Sequence, residues 1–126
     1  MIITVDEEDG RPVYRQVADG IKALIARGEL TQGAALPPVR QLAADLGVNL
    51  NTIATAYREL QSEGLIAVRH GAGAVVASMT LADKTEDQLR KPLRTALTQM
   101  VLAGMPRKEI MNVVAEELRG LLKGAR

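Results

Sequence analysis

The sequence predicts a mainly α chain with one small β-hairpin. Three features lead there. Five stretches repeat apolar residues at three- and four-residue spacing. Prolines and glycines punctuate the ends of those stretches. One pair of β-prone runs flanks a glycine-rich tip.

The elements follow in order. Ile2 to Val5 is a short apolar run, expected as an edge strand, and Asp6 to Gly10 is acidic and turn-like. Pro12 opens the first helix, because a proline at the first position loses no hydrogen bond the helix would have made. Val13, Val17, Ile21, Leu24 and Ile25 then share one face, and Gly28 closes the run. Thr31 to Ala35 reads as a loop. Pro37 and Pro38 open a short second helix in which Leu42, Ala43 and Leu46 face inward and Gly47 ends it. Val48 follows, and Asn49 offers a side-chain oxygen to cap a third helix, which runs to about Glu63 before Gly64 stops it. Leu65–Arg69 and Ala74–Ser78 flank His70-Gly71-Ala72-Gly73 and read as a hairpin with a sharp tip.

From Leu81 the pattern changes to long helices. Leu89, Leu93, Ala96, Leu97, Met100 and Val101 form one stripe, crossed by Pro92, which should kink or restart the helix. Gly104 ends it. Pro106 opens a last helix with Ile110, Val113, Val114, Leu118, Leu121 and Leu122 on one face. The first five elements, helix, helix, tight turn, helix and hairpin, are the parts of a winged helix-turn-helix domain. The expected organisation is that domain over residues 1–78 and a two-helix dimerisation hairpin over 79–126.

Composition narrows the function. The chain has 126 residues, enough for one ordinary domain with an appendage, and 47% of them are hydrophobic, enough for a packed core. Only 2% are aromatic, so Leu, Ile, Val, Ala and Met must build that core. Without cysteine there are no disulfides or thiolate metal sites, which is compatible with a reducing cytoplasm. No signal-peptide pattern opens the sequence, and no run of about 18 apolar residues offers a membrane span. One histidine and no metal-spaced or Ser-His-Asp cluster leave an enzyme, a metal site or a cofactor without a motivating constellation.

Charge is less simple. The net charge is +1, but residues 1–78 carry seven Lys/Arg against nine Asp/Glu, while residues 79–126 are net positive. A DNA-binding domain in the first part would rest on where its few cations sit, not on their number. Along the third helix Ile53, Ala56, Tyr57 and Leu60 fall on one side, and Asn51, Thr52, Thr55, Arg58 and Ser62 on the other. Helices fit the major groove of B-DNA, and Asn, Thr and Arg suit base edges and phosphates. An ordinary solvated face would look the same from this helix alone. The tight turn Gly47-Val48-Asn49 favours the DNA reading. So does Arg40 at the start of the second helix, for which a surface pair with Asp45 is the plain alternative. At the hairpin tip, Arg69, His70 and Gly71 suit a contact with phosphates or a negative minor groove.

At these residues the sequence resembles the GntR family of regulators. LPPVRQLA, the LGVN-x-NT turn, YRELQSEGLI and the RHGAG wing occur in order within about residues 11–77, and the NT-x-A-x-AYREL form with its short tail is similar to the YtrA subfamily. The resemblance implies a cytoplasmic, sequence-specific bacterial transcription regulator, acting as a repressor, with double-stranded operator DNA as its partner. It implies that Arg40 touches DNA, that Asn49, Asn51, Thr52 and Thr55 lie on or lead into the recognition helix, and that Arg69, His70 and Gly71 form the wing contact. Two departures stand out. Many members carry arginines where this chain has Leu50 and Ala54, so bidentate guanine reading is lost there. The usual Thr–aromatic pair after the wing is replaced by Ala74 and Val75.

The tail stripes need a partner, since two helices alone make a poor core. A homodimer through Leu89, Leu93, Leu97, Met100, Val101, Ile110, Val114, Leu118 and Leu121 is the economical solution, and it matches a pseudo-palindromic operator. The tail is too short for a large effector domain; Met100, Met105 and Met111 serve it better as core filler than as the lining of a small-molecule crevice. The competing reading is a winged-helix protein-interaction module without DNA reading, supported by the acidity of residues 1–78.

Overall fold

A computed structural model describes residues 3–69, 73–81 and 83–122, with Arg69 as backbone only. Proline and glycine set most helix boundaries. α1 spans Val13–Ala26 and starts directly after Pro12, whose missing N–H costs this first turn nothing. α2 spans Val39–Leu46 after Pro38, and α3 spans Leu50–Ser62 after Asn49. β1 (Ile66–Arg69) and β2 (Gly73–Val76) pair antiparallel, with Ile66 opposite Val76 and Arg69 opposite Gly73. α4 spans Glu86–Leu102 and α5 spans Arg107–Leu122.

The chain divides into two compact units, Met1–Leu81 and Ala82–Arg126. In the first, α1 and α2 both pack on α3. Val17, Ile21, Ile53, Leu60, Ile66 and Val76 are its most completely buried large side chains, and Leu36, Leu42, Ala56 and Leu65 join the same cluster. Aliphatic groups fill this core apart from Tyr57, its one buried aromatic among the described residues, as the near absence of aromatics requires.

Two local expectations change. No strand forms in the described part of the Ile2–Val5 run. Ile3 and Val5 instead lie half-buried on the core. Their segment is fastened by Gln16, a buried side chain on α1. Its Oε1 accepts from the Asp6 amide at 2.8 Å, and its Nε2 donates to the carbonyls of Asp6 and Arg11 at 3.0 and 3.1 Å. Gly20 lets Ile3 pass, since a Cβ there would stand 3.1 Å from Ile3 Cγ2. Gln16 thus satisfies both backbone groups of Asp6, a role a strand ladder would otherwise fill.

The second change concerns Thr31–Ala35. Gly33 N–H donates to Val76 at 2.8 Å, Val76 N–H to Ala34 at 2.9 Å and Leu36 N–H to Ala74 at 2.9 Å, with Ala35 bridging Val75 antiparallel. β2 is therefore flanked on both sides. Ala74, Val75 and Val76 are buried, so their polar backbone groups require partners on each edge, and this segment supplies them.

In the second unit α4 is one continuous helix through Pro92. A full capping box starts it: Thr85 Oγ1 accepts from the Gln88 amide, and Gln88 Oε1 accepts from the Thr85 amide. Glu86 and Asp87 sit in the first turn, where the helix dipole favours them. A turn with Gly104 at φ 85° leads to α5. No residue of α4 or α5 is buried. Leu97, Met100, Met105, Ile110, Val113 and Val114, near the turn, are partly covered. Leu89, Leu93, Val101, Leu102, Met111, Leu118, Leu121 and Leu122 lie open.

Candidate nucleic-acid interface

The turn between α2 and α3 is built from local chemistry. Gly47 takes φ 68°, a left-handed conformation that costs a glycine little. Its amide and that of Val48 return to the carbonyls of Ala44 and Ala43 at 3.3 and 3.0 Å, closing α2. Two residues later Asn49 Oδ1 accepts from the Asn51 amide at 2.7 Å, opening α3. The Asn49 acceptor is thus spent on the cap, and its exposed amide N–H2 is what remains to offer.

Along α3, Asn51 and Arg58 are exposed, with Thr52, Ala54 and Thr55 half-buried beside them. Arg58 Nη2 donates to Thr55 Oγ1 at 3.0 Å, which holds the guanidinium against the helix. Leu50, on the first turn, is 38% exposed. Tyr57 points the other way, into the core, and its hydroxyl donates to the Pro37 carbonyl at 2.7 Å. This bond ties the middle of α3 to the entry of α2, where Arg40 stands exposed. Burial pushes the Tyr57 phenol up to about 12, so it remains a donor at any physiological pH.

Charge pairing sorts the cations of the first unit. Arg11 holds Asp9 at 2.7 Å and Asp19 at 2.6 Å, Arg15 holds Glu59 at 3.1 Å, Lys22 holds Glu63 at 2.9 Å, and Arg27 holds Glu29 at 2.6 Å. Arg11 keeps the Asp9 carboxyl below its ordinary range, chiefly by their side-chain hydrogen bond. Arg40 and Arg58 form no ion pair among the described residues, and Asp45 does not engage Arg40. The acids of α3 are the ones turned to α1. Of the acids of residues 1–78, Asp9, Asp19, Glu29, Glu59 and Glu63 are thus engaged by other cations, and Arg40 and Arg58 are left without an ion pair among the described residues, although Asp45 lies on α2 as well.

Arg69 ends β1, at the base of the hairpin tip. His70 and Gly71, also assigned to the wing contact, lie outside the described residues. The sequence shows Tyr57 on the apolar side of α3 but not its bond to Pro37, and it gives neither the role of Gln16 nor the α1–α3 ion pairs. Gln16 had a signal, a polar residue at a core position between Val13 and Val17. The ion pairs had none, since Lys22 and Glu63 meet only through tertiary packing.

Among the described residues no cluster of potential ligands gathers to hold a metal ion, and no helix is long and apolar enough to cross a membrane.

Known proteins share this arrangement. The family profile "Bacterial regulatory proteins, gntR family" matches residues 13–76. The HTH-type transcriptional repressor YtrA of Bacillus subtilis (strain 168) is 29% identical over 118 residues, covering 91% of this chain and 91% of that protein. Among solved structures, a transcriptional antiterminator from Listeria monocytogenes EGD-e superposes with TM-score 0.84 at 28% identity over 98% of this chain and 95% of that one. YtrA from Sulfolobus acidocaldarius, a GntR-family transcription factor, gives TM-score 0.64 at 42% identity over 78% and 99%. The DNA-binding domain of AraR, solved in complex with operator ORE1, gives TM-score 0.52 at 30% identity over 61% and 94%.

Proposed function

The chain belongs to the gntR family of bacterial regulatory proteins, as a YtrA-like member, and from that membership we propose that it represses transcription as a homodimer on a pseudo-palindromic operator. That it is a DNA-binding transcription regulator follows from the family. The finer reading rests above all on the sorting of charge: Arg40 and Arg58, on α2 and the outward side of α3, lack the acidic partners that the other described cations of this unit have.

In this reading α3 enters the major groove. Asn51, Thr52 and Thr55 face base edges, while Arg40, Arg58 and the Asn49 amide hold phosphates. Arg69, His70 and Gly71 approach the neighbouring minor groove. The apolar faces of α4 and α5 pair with those of a second copy, through the stripe that includes Leu89, Leu93, Leu97, Met100, Val101, Ile110, Val114, Leu118 and Leu121. Two recognition helices about 34 Å apart then address successive major grooves. The cytoplasm is the compartment where such a protein meets its operator. A repressor's name on the Bacillus relative supports the sign of regulation.

The test is selection of a duplex from a random double-stranded pool, followed by titration against salt. A phosphate-held complex weakens steeply as salt rises. Arg40→Ala should weaken binding uniformly across sequences and lower the salt slope by about one, with the melting temperature unchanged. A protein that enriches no duplex, even at low salt, would refute the reading.

A further inference from the structure

The outward side of α3 holds an apolar corner that hydrogen bonding does not explain. Leu50 stands on the first turn, 38% exposed, and Ala54 lies half-open one turn further on. Residues four apart on a helix stack on one face, and Arg58 is the next member of the same row. Leu50 follows the Asn49 cap directly, so the Asn49–Asn51 hydrogen bond at 2.7 Å fixes the backbone that carries it. The core of this unit takes Ile53, Ala56, Tyr57 and Leu60 from α3 and has no need of Leu50. The other exposed residues of this helix, Asn51, Arg58, Gln61 and Ser62, are all polar, so an open leucine among them costs solubility without aiding stability.

A major groove offers one apolar feature to such a corner, the 5-methyl group of thymine. Phosphates and the edges of guanine, cytosine and adenine present only donors and acceptors. We propose that Leu50 and Ala54 are specificity residues that recognise thymine methyl groups in the operator, with Asn51 beside them positioned to bond an adenine edge. This inference rests on the placement of α3 in the major groove. It names what the helix reads there: A·T pairs through their methyl groups, in place of guanines through arginine.

The experiment uses the full-length protein and a duplex it has enriched from a random pool. Each thymine is replaced in turn by deoxyuridine, which removes only the methyl group. At one or two positions per half-site the affinity should fall about fourfold, the worth of one buried methyl-sized group. Leu50→Ala should weaken binding to the thymine duplex and leave it indifferent to deoxyuridine at those same positions, which closes a double-mutant cycle. Leu50 is exposed, and an unchanged thermal melt verifies that the variant folds. Deoxyuridine without effect at every position overturns the proposal while leaving the DNA-binding reading intact. A deoxyuridine effect that persists undiminished in Leu50→Ala also overturns it, since some other group, such as the Thr55 methyl, would then be the reader. Failure to enrich any duplex removes the DNA-binding reading and this inference together.

Discussion

The two compact units are built from similar material and reach opposite states. In Met1–Leu81, α1 and α3 turn their apolar faces into the core, where Val17, Ile21, Ile53 and Leu60 have no solvent exposure. In Ala82–Arg126, α4 and α5 carry apolar stripes of their own, yet Leu93 remains 51% exposed and Val101 62%. Helical periodicity specifies a face that must be covered; it does not specify by what. The first unit covers its faces with its own chain. The second begins with a full capping box and favourable first-turn acids, which stabilise a helix without a core, and it leaves much of its apolar stripe exposed. Most helix stability in proteins comes from packing, not propensity, and the dimer proposed above would supply the burial that α4 and α5 lack.

That contrast can be tested from its strongest side downward. Leu60→Ala in the first unit should cost about 3–5 kcal/mol, measured by denaturant unfolding, and the loss should not depend on protein concentration. A loss that shrinks on dilution would mean that this core is shared between copies. Leu93→Asp in the second unit should leave the first unit's unfolding free energy unchanged and weaken self-association roughly a hundredfold or more, because a charge would be desolvated in the interface. Sedimentation equilibrium reads this directly, and an undisturbed dimer would place the contact elsewhere.

Tyr57→Phe tests the tie between α3 and α2. It removes the bond to the Pro37 carbonyl and should cost about 1–2 kcal/mol at neutral pH, with a parallel loss of DNA affinity as Arg40 loses its anchorage. Burial raises the phenol from 10.0 to about 12 in the folded protein. Its contribution is therefore intact below pH 10 and drains away as pH climbs toward 12, where the unfolded chain ionises first. The stability difference between wild type and Tyr57→Phe should narrow over that window; a constant difference would contradict a buried, hydrogen-bonded phenol. The smallest effect is expected of Lys22→Ala. The Lys22–Glu63 pair is partly exposed, with side-chain accessibilities of 26% and 17%, so its loss should cost less than about 1 kcal/mol and fade at high salt.

The sequence made the helices legible because their stops are chemical. Pro12, Pro38, Asn49 and Gly47 act within a few residues of where they stand, so α1, α2 and the turn into α3 come out within a residue or two of expectation. Pro92 was ambiguous for the same reason: its local effect is disruptive, and α4 nevertheless runs through it. What stayed hidden depends on distant partners. Gly33 to Leu36 has no alternating pattern and shows its strand character only against β2, some forty residues on. Arg15 and Lys22 meet Glu59 and Glu63 only because α1 packs on α3 and its C-terminal cap. The acidity of residues 1–78 thus spoke against DNA from composition, while pairing in space engages five of those acids elsewhere and leaves Arg40 and Arg58 without an ion pair among the described residues.

The short stretch from Gly33 to Pro38 joins three functional parts. Gly33, Ala34 and Leu36 hydrogen-bond the inner hairpin strand, the Pro37 carbonyl takes the Tyr57 hydroxyl, and Pro38 sets the entry of α2. It acts as a strut that ties the hairpin to α3 and to the entry of α2, and in the DNA-bound arrangement proposed above it would hold the wing and the recognition helix at one spacing. A duplex that pushes one gripping part aside must strain the other. Operators should then be selected for the spacing of adjacent grooves as well as for their bases. Amide exchange at Gly33, Leu36 and Val76 should slow in concert with Leu42 when DNA binds, and independent responses would show that the strut yields.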